Sequence, residues 1–219
     1  MKINALNQSF NANKVAFGQI VRNDIQKKES NDNVQKLYII SGPSGVGKDT
    51  ILDAFNKKYN NYLTKVVTST TRNPRQGEIN GVSYNFLTAD EFKKAVDDND
   101  FLEYVNVYAD KYYGTRNADI EQAYQKGQNA VLVIDVEGAQ KIKSKRKDAV
   151  AIFIKPASID VLRKHLEKRG TETPESLKTR LDRAEYEIKV GTNPKYYDAV
   201  IQNNNDVEEN VNDLFEILC

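Results

Sequence analysis

Cysteine and histidine are almost missing from this chain of 219 residues: each occurs once, as Cys219 and His165. A disulfide framework needs pairs of cysteines and a structural metal centre needs clustered thiols and imidazoles, so neither organises this fold. No apolar run approaches the roughly 18 to 20 residues that cross a bilayer, and the first residues lack the apolar segment of a secretory signal. Neither sign of charge dominates, with 32 Lys and Arg against 31 Asp and Glu. No global field therefore draws the chain to nucleic acid or to a membrane, and any anion has to be held by local clusters. Together these absences read as a cytoplasmic protein with no nucleic-acid or membrane partner; between monomer and homodimer the sequence does not choose.

What is present begins with Gly42-Pro43-Ser44-Gly45-Val46-Gly47-Lys48-Asp49-Thr50, placed between the apolar run Leu37 to Ile40 and a helical pattern that starts at Thr50. Glycines at 42, 45 and 47 free backbone N–H groups to turn around a polyphosphate. The following helix aims its positive end at the same point, and Lys48 adds a full charge. The strand-loop-helix context makes this a phosphate-binding loop for a nucleoside triphosphate.

Short apolar runs without alternation at Leu37 to Ile40, Val131 to Ile134, Val150 to Ile154 and Ala199 to Ile201, with a weaker one at Lys65 to Val67, predict strands of a parallel sheet covered on both faces. Helices are predicted over 50–60, 88–98, 117–127, 136–145, 158–169, 174–190 and 206–217. Thr88 to Glu91 and Asp206 to Glu209 read as capping boxes, and Thr173-Pro174 as a hydroxyl cap before a first-turn proline. The fold class is α/β. Residues 1–34 read as a polar, flexible extension, 35–219 as one domain with its core at 35–68, 130–157 and 192–219. Segment 69–129, with aromatic strands at 83–87, 101–108 and 111–113, reads as an α+β insertion, and the charged helical pair over 158–191 as a lid.

The phosphoryl acceptor needs a second site. Thr68 to Arg75 follows the second core strand, at the sheet edge where open α/β folds place ligands, and its Arg72 and Arg75 form a candidate phosphate clamp. Strand alternation sets Glu103 on the same face as Phe101, Val105 and Val107. Asp135 closes the run Val131 to Ile134, either as a helix N-cap or as a binding group. Two acceptor-only carboxylates suit guanine, whose N1–H and N2–H2 are adjacent donors where adenine shows a bare acceptor.

In the motifs GPSGVGK at 42–48, STTRNPRQGE at 69–78, Gly81 to Tyr84, Phe101 to Glu103, Tyr112 to Thr115, Ile134 to Gly138 and Arg169 to Thr173, the chain resembles the guanylate kinases from about Lys36 onward. The resemblance implies a P-loop kinase whose parallel sheet carries an inserted GMP-binding subdomain and a helical lid, and which moves the ATP γ-phosphoryl group to GMP or dGMP with Mg2+. It implies that Arg72, Arg75, Tyr84 and Tyr113 hold the GMP phosphate, and that Thr68, Glu103, Thr115 and Asp135 face the guanine. Lys48, Arg72, Arg169 and Arg180 would serve the transfer, and Asn203 falls where the family contacts adenine. Three positions depart from the pattern: Asp49 replaces a common Ser or Thr, His165 a common arginine, and Val133 a frequent acid.

Two alternatives remain. A kinase of ribose 1,5-bisphosphate has a similar GPSG-x-GKD-[ST] loop but offers no base to Glu103 and Asp135. A non-catalytic guanylate-kinase-like protein-binding module has no use for Lys48, the loop glycines, Arg169 and Arg180.

Overall fold

The structure, a computed structural model, describes residues 35–108, 111–168, 170 and 173–218. The expected extension at 1–34 and the expected lid residue Arg169 lie outside the described residues.

Five strands, β1 (Leu37–Ser41), β2 (Leu63–Lys65), β7 (Asn129–Val133), β8 (Val150–Pro156) and β9 (Ala199–Asn203), form a parallel sheet in the order β2-β7-β1-β8-β9. The absence of alternation in these runs follows from cover on both faces. Tyr38 and Ile40 point to one side, against Leu52 and Phe55 of helix α1 (Lys48–Lys58), Leu162 of α5 (Ile159–Lys168) and Leu214 of α7 (Val207–Leu218). Leu37 and Ile39 point to the other, against Ile120 of α3 (Asn117–Gln125) and Ile142 of α4 (Val136–Lys145).

A second, mixed sheet has the order β4-β3-β6-β5, from β4 (Asn85–Phe86), β3 (Ser69–Thr70), β6 (Lys111–Arg116) and β5 (Phe101–Tyr108). Its core is aromatic: Phe92 of α2 (Ala89–Asp97) stacks on Phe101 with ring centres 4.5 Å apart. Lys141 and Lys145 of α4 donate to the carbonyls of Tyr104 and Leu102 and so tie this insertion to the core along β5.

The predicted caps at Thr88 and Thr173 form in full, and of the box predicted at Asp206 to Glu209 the bonds to the Asp206 side chain form. Thr88 and Glu91 make both bonds of a capping box. Thr173 caps α6 (Pro174–Gly191) by accepting from Ser176 N, with Pro174 in the first turn. Asp206 Oδ1 accepts from the N–H groups of Glu208 and Glu209.

Boundaries shift where apolar character and ladder pairing part company. The run Lys65 to Val67 is not itself a strand: β2 ends at Lys65, Val66 N still bonds Val131 O at 2.9 Å, and the chain then leaves for the second sheet. Val66 is apolar because it is buried, not because it is paired. The predicted strand at 83–87 shrinks to Asn85–Phe86 behind a turn, while that at 111–113 extends through Gly114 to Arg116. Gly114 lies under the Phe101 ring, where a Cβ would come within 2.8 Å of ring carbons.

Gly191 ends α6 against the Phe153 ring, where a Cβ would lie 2.1 Å from a ring carbon. Alanine is the better helix former by about 1 kcal/mol, but overpacking costs about 1 to 3 kcal/mol, and a ring locked in the sheet core cannot retreat. Gly191→Ala should therefore lower stability in urea unfolding; unchanged or raised stability would show that Phe153 has room to move.

Candidate active site

The carboxyl ends of β1, β2 and β7 open into a cleft of about 670 Å³. One wall is the phosphate loop after β1, and it exists because residue 42 has no side chain. Gly42 sits at φ +152°, and a Cβ there would meet Ile154 O at 2.4 Å. Lys48 folds back so that Nζ donates to Gly42 O at 2.6 Å and Pro43 O at 3.1 Å, which holds the ammonium over the loop. Helices α5 and α6 touch this wall twice. Arg180 of α6 donates to Ser44 Oγ at 2.8 Å, and the His165 ring on α5 lies with Nδ1 3.2 Å from Gly45 O, an acceptor that requires Nδ1 to carry the proton.

Asp49 pairs with Lys65 at 2.6 Å, and both line the cleft. Lys65, at the end of β2, was not legible as a site residue. Nothing in the sequence marks it, because its partner is brought near only by the sheet.

The opposite wall comes from the second sheet. Arg75, Tyr84 and Tyr113 line it, with the two tyrosine rings edge to face at 6.0 Å. Arg72 lies behind them, 9% exposed. Its guanidinium makes a forked pair with Glu78 at 2.8 and 2.9 Å and lies 5.2 Å from the Tyr84 ring centre. This pairing holds Glu78 below the usual carboxylate range. Glu78 also accepts from Arg75 N at 2.7 Å, so one acid fixes both arginines of the predicted clamp.

At the inner end, Thr68, Glu103 and Asp135 converge on the cleft. Asp135 resolves its two readings by doing both: Oδ1 caps α4 by accepting from Gly138 N at 2.8 Å, and the residue still lines the cleft. Thr115 is buried behind Glu103 and donates to its Oε1 at 2.9 Å. Among the described residues Glu103 Oε2 has no partner, although Glu103 is only 4% exposed. Gly138 allows this approach, since a Cβ there would lie 3.3 Å from both Glu103 Oε2 and Asp135 Oδ1. Burial, with the nearby Asp135 charge adding to it, lifts Glu103 from its ordinary 4.5 to about 7 against the opposing bond from Thr115.

Of the remaining predicted residues, Pro43, Val46, Thr50 and Asn203 do not line the cleft. Asn203 is a strut: Nδ2 donates to Val46 O at 2.7 Å, and Oδ1 accepts from Asn205 N and Asn210 Nδ2 at 2.8 Å each. Two acids that the sequence reading passed over, Glu137 and Glu187, meet Arg183 beside the cleft.

The family model described as guanylate kinase matches residues 34–219. The chain belongs to the guanylate kinase family. A guanylate kinase from Clostridium perfringens is 45% identical over 194 residues, covering 89% of this chain and 87% of that protein. A guanylate kinase from Fusobacterium nucleatum is 39% identical, covering 83% of this chain and 95% of the other. The crystal structure of guanylate kinase from Anaplasma phagocytophilum superposes with a TM-score of 0.64 at 30% identity, over 84% of this chain and 85% of that one. The family's P-loop kinase fold is thus the fold of this chain, as the α/β pattern with its parallel sheet predicts.

The raised Glu103 gives a signed pH effect. The fold favours its protonated form, so its stabilising contribution is full below 4.5 and is lost as the pH rises to about 7. The full effect is at most about 3 kcal/mol. Glu103→Gln carries no charge at any pH. Without nucleotide, its stability relative to the parent protein should climb between these two values and then level off. A constant difference across a urea-unfolding pH series would show that Glu103 does not titrate there.

Proposed function

We propose that this chain transfers the γ-phosphoryl group of ATP to GMP, and to dGMP, giving ADP and GDP or dGDP in cytoplasmic purine nucleotide metabolism. The observation that carries this reading is the orphaned, buried Glu103 Oε2 beside Asp135, in the same cleft as a phosphate loop. An unpaired acceptor inside a protein costs about 1 to 3 kcal/mol, and the cost is recovered when a donor arrives. Guanine brings adjacent donors. Adenine would leave the acids facing an acceptor, and ribose 1,5-bisphosphate would leave the inner end with nothing to read.

Transfer is in line. A GMP phosphate oxygen attacks the γ-phosphorus, the bond from that phosphorus to the β,γ-bridging oxygen breaks, and ADP carries the electron pair away. Lys48 and the loop amides bear the charge on the β and γ phosphates. Arg75, Tyr84 and Tyr113 hold the GMP phosphate, and Arg72 joins them by exchanging part of its bond to Glu78. Glu103 and Asp135 accept from the guanine ring, with Thr115 orienting the first and Thr68 completing the pocket. Arg180, with Arg169, neutralises charge as the lid closes and excludes water. Asn203 braces the loop from beneath through its bond to Val46 O and makes no contact with the adenine.

Among the described residues no cluster of three or more His, Cys, Asp or Glu could hold a metal. Asp49, a hard oxygen donor on the cleft wall, nonetheless fits Mg2+, which takes one or two carboxylates and completes its shell with phosphate oxygens and water. Bound there, Mg2+ would spread the negative charge of the β and γ phosphates. No helix among the described residues is long and apolar enough to cross a membrane. We propose GMP, dGMP and ATP as the ligands of a monomer or homodimer.

An acceptor panel with Mg2+ and ATP, scored for ADP, tests the assignment. GMP and dGMP should be used and AMP, CMP and ribose 1,5-bisphosphate ignored; ADP formation with the bisphosphate alone would overturn it. The Asp49–Lys65 pair adds a second expectation. Removing the lysine leaves Mg2+ alone to offset the Asp49 carboxylate beside the triphosphate, so Lys65→Met should raise KM for ATP roughly 3- to 10-fold at low salt and low free Mg2+ and less at high salt, with KM for GMP unchanged. Adding Asp49→Ser to Lys65→Met should restore most of the loss in a steady-state titration.

A further inference from the structure

Among the described residues, Arg183 is the one lid arginine that lines the cleft without a part in the chemistry described above. It lies three residues after Arg180 on α6, close to one helical turn, yet it serves the other end of the cleft. Arg180 reaches Ser44 on the phosphate loop. Arg183 crosses to the first turn of α4: Nη2 lies 2.6 Å from Glu137 Oε2 and 3.5 Å from Asp135 Oδ2, while Nε donates to Glu187 Oε1 at 3.0 Å. A single guanidinium, 22% exposed at its side chain, thus faces three carboxylates from two elements.

Asp135 Oδ1 is committed to Gly138 N–H. The plane of the carboxylate, and with it the direction of Oδ2, is then set by what stands on its far side, which is Arg183. Without that cation, Asp135, Glu137 and Glu187 would crowd one another and Glu103 as like charges around one cleft. Burial already pushes Glu137 and Glu187 up, and Arg183 opposes the rise in both. Glu137 and Glu187 in turn fix Arg183, so the geometry is over-determined and not a chance surface pairing.

We propose that Arg183 is a specificity-positioning residue for the acceptor: from the lid helix it aims the Asp135 carboxylate at the guanine donors, and so links the base-reading end of the cleft to the helix that touches the phosphate loop. The inference rests on the GMP assignment above. Its consequence is that the preference for the guanine 2-amino group depends on a residue that does not contact the base.

The test compares the parent enzyme with Arg183→Met, Arg183→Lys and Glu137→Gln, using GMP and inosine monophosphate, which lacks the 2-amino group, as acceptors. Arg183→Met should raise KM for GMP roughly 10-fold, as misplacement of a recognition group does, with KM for ATP within about twofold. The ratio of kcat/KM for GMP over that for inosine monophosphate should fall at least about threefold. Arg183→Lys keeps the charge but loses the fork and should fall between. Glu137→Gln loosens the anchor and should shift the ratio in the same direction by less. If Arg183→Met does not fold, the other two variants decide the matter. An unchanged ratio in the folded variants, or a parallel rise of KM for ATP and GMP, overturns the role of Arg183. A parent enzyme that ignores GMP overturns the acceptor assignment instead, so the two failures are distinct.

Discussion

A carboxylate oxygen buried without a partner is tolerated only where something else makes its removal more costly, and the active cleft of this protein is arranged around one. Glu103 Oε2 is held inside the second sheet by Thr115 on its companion oxygen and by the aromatic packing of Phe92 and Phe101 around its strand. The fold bears that cost in the ligand-free state, as the raised pKa records. Two neighbouring features accommodate it. Gly138 has no side chain because a Cβ would press on that carboxylate, and Asp135 can approach because its own charge is shared with a helix N-terminus.

The two ends of the cleft meet different physical demands. At the phosphate loop the need is dense positive potential with no side chain in the way, and glycine backbone plus Lys48 supply it. At the inner end, where we propose that guanine is read, directional acceptance in a dry setting is needed, and buried Glu103 beside half-buried Asp135 suits that need at a price in stability. Helix α6 spans both, with Arg180 at the loop and Arg183 beside the acids. One helix thus touches both ends of the cleft, which suits the lid role proposed for it in a transfer that must exclude water.

Much of this is legible in the sequence. The strand-loop-helix context exposed the phosphate loop, and the period-two pattern around Glu103 placed it on a buried face. Capping signatures at Thr88 and Thr173 located helix starts to within one residue. Other features were hidden for identifiable reasons. The run at Lys65 to Val67 looked like a strand because burial and strand pairing leave the same apolar trace. Asn203 could not be recognised as a strut beneath Val46, because its bond spans 157 positions of sequence. Arg72 reads as a clamp arginine, and only its forked bond to Glu78 reveals that it stands behind Arg75 and the tyrosines.

What the sequence determined alone was chemistry that is local in the chain: a glycine-rich turn between a strand and a helix, caps, and the facing of side chains along a strand. Periodicity is a short-range property, so it survives without tertiary information. What only the tertiary structure decided was which charges meet: Asp49 with Lys65, Arg72 with Glu78, and Arg183 with Asp135, Glu137 and Glu187. With 63 charged side chains of nearly balanced sign, composition permits a very large number of pairings. Parallel strand order and the seat of the lid helix select among them, because Coulomb attraction acts through distance in space and not along the chain.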